Sequence, residues 1–163
     1  MSFLLDTNVI SEWVKPQPNP QVTAWLAEVD EDLVFLSVAS LAEIRRGVEL
    51  MPPGKRRDRL AAWLADDLPA RFEGRILDID RRVAEAWGVF VARGQTAGMN
   101  VSVLDAFFAA TAEVHGLTLV TRNVEHFRSL RGRISDCGAL PSSVGPASYL
   151  SEHRRQMTGP RFR

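Results

Sequence analysis

Several side chains with metal-binding oxygens stand directly after apolar runs, or near the start of an apolar helix-like segment. Asp6 ends the run FLL, and Asn123 follows the run LTLVT. Glu43 lies just beyond LVFLSV, and Asp105 lies near the start of SVLDAFFAATAEVHG. Such oxygens suit Mg²⁺ or Mn²⁺, and a bound divalent ion lowers the pKa of water and neutralises charge on a phosphodiester. These residue types indicate metal-assisted hydrolysis, provided that the fold brings them together.

Apolar patterning predicts short strands that alternate with helices along the chain. The predicted strands cover residues 3–6, 33–38, 74–80 and 117–121, and the predicted helices cover residues 19–29, 40–51, 55–68, 81–94, 102–116 and 122–127. This alternation predicts an α/β fold with three layers, in which helices cover both faces of a mostly parallel central sheet. Ligand sites in such folds lie outside the carboxyl ends of the strands, so we expect Asp6, Glu43 and Asp105 to converge there.

Residues that start or stop helices set several of these boundaries. Asn19 is expected to cap a helix that has Pro20 in its first position. Ser40, followed three residues later by Glu43, matches a capping box at the start of the next helix. Gly94 is expected to end the helix that begins at residue 81.

Each candidate ligand also has a purely structural alternative. Asp6 stands where a residue commonly caps a helix after a strand, and Glu43 can complete the capping box without binding anything. Asp105 can be a solvated first-turn residue that the helix dipole favours, although its apolar neighbours favour a buried helix, where an unpaired charge is costly. Asn123 can cap a helix or form a turn, or it can hold a metal ligand in place or contact the substrate, and these interpretations stay open.

Composition places the chain among ordinary globular proteins. Its 163 residues are 45% apolar and 25% charged, and its 20 basic residues balance its 20 acidic ones. Binding of nucleic acid would therefore depend on a local basic patch, and the single Cys137 rules out an internal disulfide. No apolar run approaches the ~18 residues that span a bilayer, and no secretion signal is recognisable. We expect a cytoplasmic protein with one domain over residues 1–138 and a polar tail over 139–163 that is flexible or loosely docked.

Three stretches of the sequence resemble a known family of nucleases. LLDTNVISE, LSVASLAEIRRGV and VLDAFFAATAEVHGLTLVTRN resemble, in order, the motifs of PIN-domain ribonucleases, in particular the VapC and FitB-like toxins of bacterial toxin–antitoxin pairs. The resemblance extends over roughly residues 3–130. It implies an α/β/α sandwich, Mg²⁺ or Mn²⁺, endonucleolytic cleavage of RNA, a homodimer, and a small antitoxin that inserts a segment into the active-site groove.

The resemblance also assigns roles to residues by their positions in the motifs. It makes the catalytic metal ligands Asp6, Glu43 and Asp105, with Thr7 and Asn8 in support of the first ligand. Members of the family often place a fourth acid where this chain has Asn123, and Glu125 and His126 are the neighbours that could replace it. The family's last strand is expected soon after this point, and residues 131–138 (RGRISDCG) fit a strand poorly.

Three arginines near these motifs are candidate contacts for RNA phosphates. They are Arg45, Arg46 and Arg122. Runs of charge are more often solvated faces of helices than binding surfaces.

Three hypotheses for the function follow. The leading one is a divalent-metal-dependent endoribonuclease that acts as the toxin of a toxin–antitoxin pair. The alternative is a catalytically weak PIN-like module that binds RNA or protein, which Asn123 in place of an acid keeps open. A phosphatase with Asp6 as nucleophile ranks lowest, because the related phosphatases carry a second Asp two residues later and this chain has Asn8.

Overall fold

A parallel sheet organises the fold. The computed structural model describes residues 1–127 and 134–137. Its five strands are β1 (Phe3–Leu5), β2 (Val34–Ser37), β3 (Ile76–Leu77), β4 (Thr118–Thr121) and β5 (Ile134–Asp136), and they lie side by side in the order β3-β2-β1-β4-β5. Every pair of neighbouring strands is parallel. The prediction of a mostly parallel central sheet is therefore confirmed, and β1 lies at its centre.

Helices connect the strands as the alternating pattern predicts. They are α1 (Thr7–Ile10), α2 (Pro20–Glu28), α3 (Val38–Glu49), α4 (Lys55–Ala62), α5 (Leu68–Arg71), α6 (Arg81–Thr96), α7 (Val103–His115) and α8 (Val124–Phe127). A 3₁₀ turn (Ser11–Val14) continues α1, another (Glu31–Leu33) precedes β2, and a π-helical turn (Trp63–Asp67) joins α4 to α5. Within the described ranges, no helix combines the length and apolar character needed to cross a membrane.

The apolar core consists of two layers, one on each face of the sheet. Leu5 and Val120 point into the layer that includes side chains of α2 and α5. Their neighbours Leu4 and Leu119 point into the opposite layer, which α6 and α7 cover. Successive residues of a strand face opposite sides of a sheet, so the short apolar runs of β1 and β4 supply both layers. The predicted three-layer α/β/α sandwich is confirmed.

The start of α2 follows the prediction, and the start of α3 does not. Asn19 Oδ1 accepts hydrogen bonds from the backbone N–H groups of Gln21 (2.9 Å) and Val22 (3.2 Å). At α3, however, the cap is Ser37, whose Oγ accepts a hydrogen bond from the backbone N–H of Ala39 (3.1 Å). The predicted capping box at Ser40 is wrong because the strand ends earlier and the helix begins at residue 38.

A fifth strand forms where the sequence fits a strand poorly. Ile134–Asp136 pairs in parallel with Leu119–Thr121 at the edge of the sheet. The open backbone donors and acceptors of β4 explain this pairing, since an unpaired edge accepts another strand whatever its side chains. The doubt about residues 131–138 is therefore corrected for residues 134–136. The predicted tail, residues 139–163, lies outside the described residues.

Gly94 does not end its helix, contrary to the prediction. Helix α6 continues to Thr96, and Gly94 is buried within it. A Cβ atom at Gly94 would lie 2.2 Å from Cγ2 of Val101, in the segment that leads from α6 to α7. The glycine therefore allows this segment to pack closely against the helix.

Replacing Gly94 by alanine is expected to lower the free energy of unfolding by about 1–2 kcal/mol, because overpacking outweighs the gain in helix propensity. Gly88 provides a matched control, since it lies in the same helix and a Cβ atom there meets nothing within 4 Å. Gly88→Ala is expected to raise the free energy of unfolding by about 0.5–1 kcal/mol. Urea unfolding of both variants measures the difference, and equal stabilisation by both would contradict the close packing at Val101.

Candidate active site

A cavity of about 440 Å³ opens at the carboxyl end of the central strands. Its walls come from four parts of the chain: the β1–α1 turn and the 3₁₀ turn after it, helix α3, the start of α7, and the segment after β4. The lining residues are mostly polar, and they are Asp6, Thr7, Asn8, Ser11, Lys15, Glu43, Ser102, Asp105, Asn123 and Phe127. The fold therefore brings the three predicted acids to one cavity, as expected for a parallel sheet.

Asp6 is fixed at the base of this cavity by hydrogen bonds to its neighbouring strand. Its backbone N–H donates to the carbonyl oxygen of Val120 (3.0 Å). Its Oδ2 accepts hydrogen bonds from Oγ1 of Thr121 (2.6 Å) and Nδ2 of Asn8 (2.5 Å). Asp6 occupies the N-cap position of α1, but its side chain makes no capping hydrogen bond. The carboxylate of Asp6 is instead hydrogen bonded to Asn8 and Thr121, and its role as a ligand stays a prediction.

Asn8 and Thr121 join the β1–α1 turn to the residues after β4. Asn8 Nδ2 donates a second hydrogen bond to Oγ1 of Thr121 (3.1 Å), and Asn8 Oδ1 accepts one from the backbone N–H of Arg122 (3.1 Å). Oγ1 of Thr121 also accepts a hydrogen bond from the backbone N–H of Asn123 (3.0 Å). These bonds fix the orientation of the Asp6 carboxylate and the path of the chain towards Asn123.

The charge state of Asp6 reflects its surroundings. Asp6 is 6% exposed. Burial, together with the negative charges of Glu43 and Asp105, raises the pKa of Asp6 from 3.8 to about 6, although the hydrogen bond from Thr121 acts in the opposite direction. Because ionisation of Asp6 is costly beside two other carboxylates, a cation bound between them would stabilise its charged form.

Comparison with known proteins identifies the fold family. Residues 3–132 match the PIN domain family. The chain belongs to the PIN-domain family. Its PIN domain is 41% identical over 125 residues to the Toxin FitB of Neisseria gonorrhoeae, an alignment that covers 77% of this chain and 90% of that protein. It is 34% identical over 127 residues to the VapC ribonuclease Y4jK of Sinorhizobium fredii, covering 78% of this chain and 91% of that protein.

A solved structure agrees with this relationship. The PIN domain superimposes on a chain in the crystal structure of FitAcB from Neisseria gonorrhoeae with a TM-score of 0.79 and 38% sequence identity. The superposition covers 85% of this chain and 99% of the other. The resemblance found in the three sequence motifs is therefore confirmed at the level of the fold and the family.

The three acids of the PIN domain reach the cavity from separate elements. Asp105 lies in the first turn of α7, as predicted, whereas Glu43 lies in the second turn of α3 because that helix begins at residue 38. Both side chains are half-buried. Within residues 1–127 and 134–137, no three acidic, histidine or cysteine side chains already stand together as a complete set of metal ligands.

The chemistry of the cavity fits a hard divalent cation. Carboxylate and amide oxygens predominate in its polar lining, and Mg²⁺ is held by one or two carboxylates together with several waters. Oγ1 of Thr7, which is buried at the cavity, has no hydrogen-bond partner among the described residues. A buried hydroxyl of this kind suits a water or a ligand atom.

The position of the missing fourth acid is occupied by an amide. Asn123 lines the cavity, whereas the exposed Glu125 is not among the described residues of its lining. An amide oxygen can coordinate a cation but adds no negative charge. His126 belongs to α8.

The candidate RNA-contacting arginines lie outside the described lining of the cavity. Arg45 and Arg46 are exposed on α3, and Arg45 forms an ion pair with Glu49 (3.5 Å). Arg122 lies closer, because its backbone contacts Asn8 and its side chain forms an ion pair with Glu12 (2.7 Å). A role in RNA binding stays a prediction for all three.

Sequence reasoning missed several residues of the site. The sequence pattern indicates only that Thr121 ends a strand, whereas the pairing of β1 with β4 brings its hydroxyl to Asp6. Lys15 opens the proline-rich stretch KPQPNP, which is typical of a connection between elements, and it nevertheless lines the cavity. The available signal for Lys15 was a single basic residue nine positions after Asp6, which no spacing rule distinguishes from a solvated lysine.

Proposed function

We propose that this PIN-domain protein is a divalent-metal-dependent endoribonuclease that hydrolyses RNA phosphodiesters. The observation that carries the proposal is the meeting of Asp6, Glu43 and Asp105 in one polar cavity at the carboxyl end of the sheet. The similarity to a protein named as a VapC ribonuclease supports the same chemistry.

In this proposal Asp6, Glu43 and Asp105 hold Mg²⁺ or Mn²⁺. An ion held there would lower the pKa of a water and neutralise charge on the phosphate that is attacked. Asn8 and Thr121 orient the Asp6 carboxylate through the hydrogen bonds described above. Glu43 and Asp105 are half-buried and line the cavity, and a carboxylate oxygen of either residue that does not hold the ion would accept a proton from a water.

Other side chains of the cavity are proposed to support the acids. Thr7 carries a buried hydroxyl at the cavity, and Asn123 supplies an amide in place of a fourth carboxylate. Because an amide adds no charge, the cavity is expected to hold a second cation more weakly than a four-acid site would.

We also propose that the protein acts as the toxin of a toxin–antitoxin pair in the cytoplasm. The similarity to the Toxin FitB, and to a chain solved as FitAcB, supports this role. The partners are then an RNA substrate, a cognate antitoxin protein and a second copy of the chain. An antitoxin would inhibit by covering the cavity.

Incubation of the purified protein with a structured RNA tests the nuclease proposal. We expect endonucleolytic products in Mg²⁺ or Mn²⁺, no products in EDTA, and recovery when excess metal is restored. Asp105→Asn is expected to remove most of the activity, because Asp105 is one of the three cavity acids.

Asp66→Asn is the matched control, since it removes an exposed carboxylate on the π-helical turn that does not line the cavity. Cleavage that persists in EDTA, or equally in Asp105→Asn, would refute the metal-dependent nuclease. Tight RNA binding without cleavage in either metal would favour the alternative, a catalytically weak binding module.

A further inference from the structure

A buried carboxylate next to the cavity joins two cations and is not used by the mechanism above. Glu12, in the 3₁₀ turn after α1, is only 2% exposed. Its Oε1 accepts hydrogen bonds from Nζ of Lys15 (2.6 Å) and Nη1 of Arg122 (2.7 Å). Its Oε2 accepts one from the backbone N–H of Asn19 (2.7 Å). Burial alone would raise the pKa of Glu12, but these hydrogen bonds and the two positive charges hold it below its ordinary value.

The two cations remain accessible although their shared partner is buried. The side chains of Lys15 and Arg122 are 41% and 38% exposed, whereas that of Glu12 is 1% exposed. Lys15 lines the cavity itself. Arg122 immediately precedes the cavity residue Asn123, and its backbone is hydrogen bonded to Asn8. The pair therefore lies at one rim of the cavity.

We propose that Glu12 is a positioning residue that holds Lys15 and Arg122 together as a phosphate-binding pair at the rim of the cavity. The inference rests on the proposed function, because it takes RNA as the ligand. One carboxylate and two cations carry a net charge of about +1, and they lie next to the acids that are proposed to hold the metal ion. The pair would bind a backbone phosphate that flanks the one being hydrolysed.

The chemistry of the three groups explains why the carboxylate is needed. A lysine ammonium has three N–H donors and an arginine guanidinium has five, and Glu12 accepts one from each. Two cations that meet at one oxygen repel each other once its negative charge is gone. Without Glu12, the half-exposed side chains would separate into solvent and lose their shared orientation.

Binding of a short, fluorescently labelled single-stranded RNA in EDTA tests the pair separately from cleavage. Glu12→Gln is expected to weaken RNA binding about tenfold and to reduce the slope of log K against log salt by about 0.7, because the pair binds one backbone phosphate and each lost phosphate contact accounts for about 0.7. Lys15→Gln and Arg122→Gln are each expected to reduce the slope by about 0.7. These single variants leave one cation on Glu12, and they test the inference even if Glu12→Gln does not fold.

Glu31→Gln is the matched control. Glu31 also accepts hydrogen bonds from an arginine, Arg71 (2.8 and 2.9 Å), but it lies outside the described lining of the cavity. We expect its RNA affinity and salt slope to equal those of the unmodified protein. A purely structural role for Glu12 would lower the melting temperature but leave the salt slope of the folded protein unchanged.

Cleavage kinetics in Mn²⁺ give a second readout. Glu12→Gln is expected to raise KM about tenfold and to change kcat less than twofold, because the pair binds substrate without touching the reacting atoms. Three results would each overturn the inference. They are an unchanged RNA affinity and salt slope in Lys15→Gln and Arg122→Gln, a loss of RNA affinity in Glu31→Gln equal to that in Glu12→Gln, and no RNA binding by the unmodified protein. RNA binding that depends on Glu12, without any cleavage, would refute the nuclease proposal and leave the phosphate-binding pair intact.

Discussion

Asp6→Asn is expected to cleave RNA at least about 100-fold more slowly than the unmodified protein, and yet to be more stable than it in the absence of metal. The loss of activity follows because Asp6 is proposed as a metal ligand. Replacing a residue that only orients a metal ligand typically lowers metal affinity or activity by about 10–100-fold. The gain in stability follows because the buried carboxylate of Asp6 is costly to ionise, and burial with the neighbouring charges raises its pKa to about 6.

The size and sign of the stability change depend on pH. A pKa raised from 3.8 to about 6 corresponds to about 3 kcal/mol against folding at neutral pH. Below pH 3.8 the carboxyl is protonated in both the folded and the unfolded chain, so the cost is absent. As the pH rises through this interval, the unfolded chain releases its proton first and the folded state loses stability. The advantage of Asp6→Asn should therefore develop between about pH 4 and pH 6 and stay constant above.

Thermal unfolding in EDTA at pH 4 and pH 7.5 measures this effect. At neutral pH the variant should melt higher, by about 2–4 °C for each kcal/mol, and at pH 4 the two melting temperatures should approach each other. The exposed Asp66→Asn variant is expected to match the unmodified protein at both pH values. Lower stability of Asp6→Asn at pH 7.5 would contradict the burial of an ionised group. Higher stability combined with lost cleavage would show that inactivity is not caused by unfolding.

The affinity for Mn²⁺ is expected to be about tenfold weaker at pH 5 than at pH 7, because a carboxylate must lose its proton before it binds a metal. With a pKa of about 6, Asp6 is mostly ionised at pH 7 and mostly protonated at pH 5. The loss should therefore occur below pH 6, which is higher than an ordinary aspartate would give.

Calorimetric titration of the protein with Mn²⁺ at several pH values tests this dependence. Asp105→Asn removes one of the charges that raise the pKa of Asp6. We expect this variant to bind Mn²⁺ more weakly at every pH, and we expect its affinity to fall at a lower pH than that of the unmodified protein. Asp66→Asn should reproduce the pH profile of the unmodified protein. An affinity that is constant between pH 7 and pH 5 would show that Asp6 does not contact the metal.

The meeting of the acids can be predicted from the sequence, while the details of their helices cannot. Asp6 and Asp105 follow from strand order, since parallel strands expose their carboxyl ends on the same edge. Glu43 reaches the predicted cavity, but it lies in the second turn of α3 and not in the first turn that a helix starting after Ser40 would give. Ser37 and Ser40 are equally able to cap a helix by residue type, and the end of β2 decides in favour of Ser37. That boundary depends on pairing with β1 and β3, which local sequence does not contain.

Contacts across the sheet escape sequence reasoning for a similar reason. Glu12 and Arg122 are separated by 110 positions, and neither belongs to a pattern with a fixed spacing. β5 has only three residues, and its strand structure comes from the free edge of β4 rather than from its own side chains. Glycine is a residue type that commonly ends helices, but Gly94 lies within α6, where the absence of a side chain allows Val101 to pack closely. In each case tertiary packing overrides the local preference.

The pairing of β1 with β4 also determines when this protein can become active during its synthesis. The bond between Asp6 and Thr121 spans 115 positions of the chain, and β1 lies between β2 and β4. A growing chain that has not reached Thr121 has no strand on that side of β1, and its first acid has no fixed orientation. Long-range pairing of this kind forms late. The cavity is consequently assembled only after Thr121 has been translated, so any activity that needs the bond between Asp6 and Thr121 begins after that point.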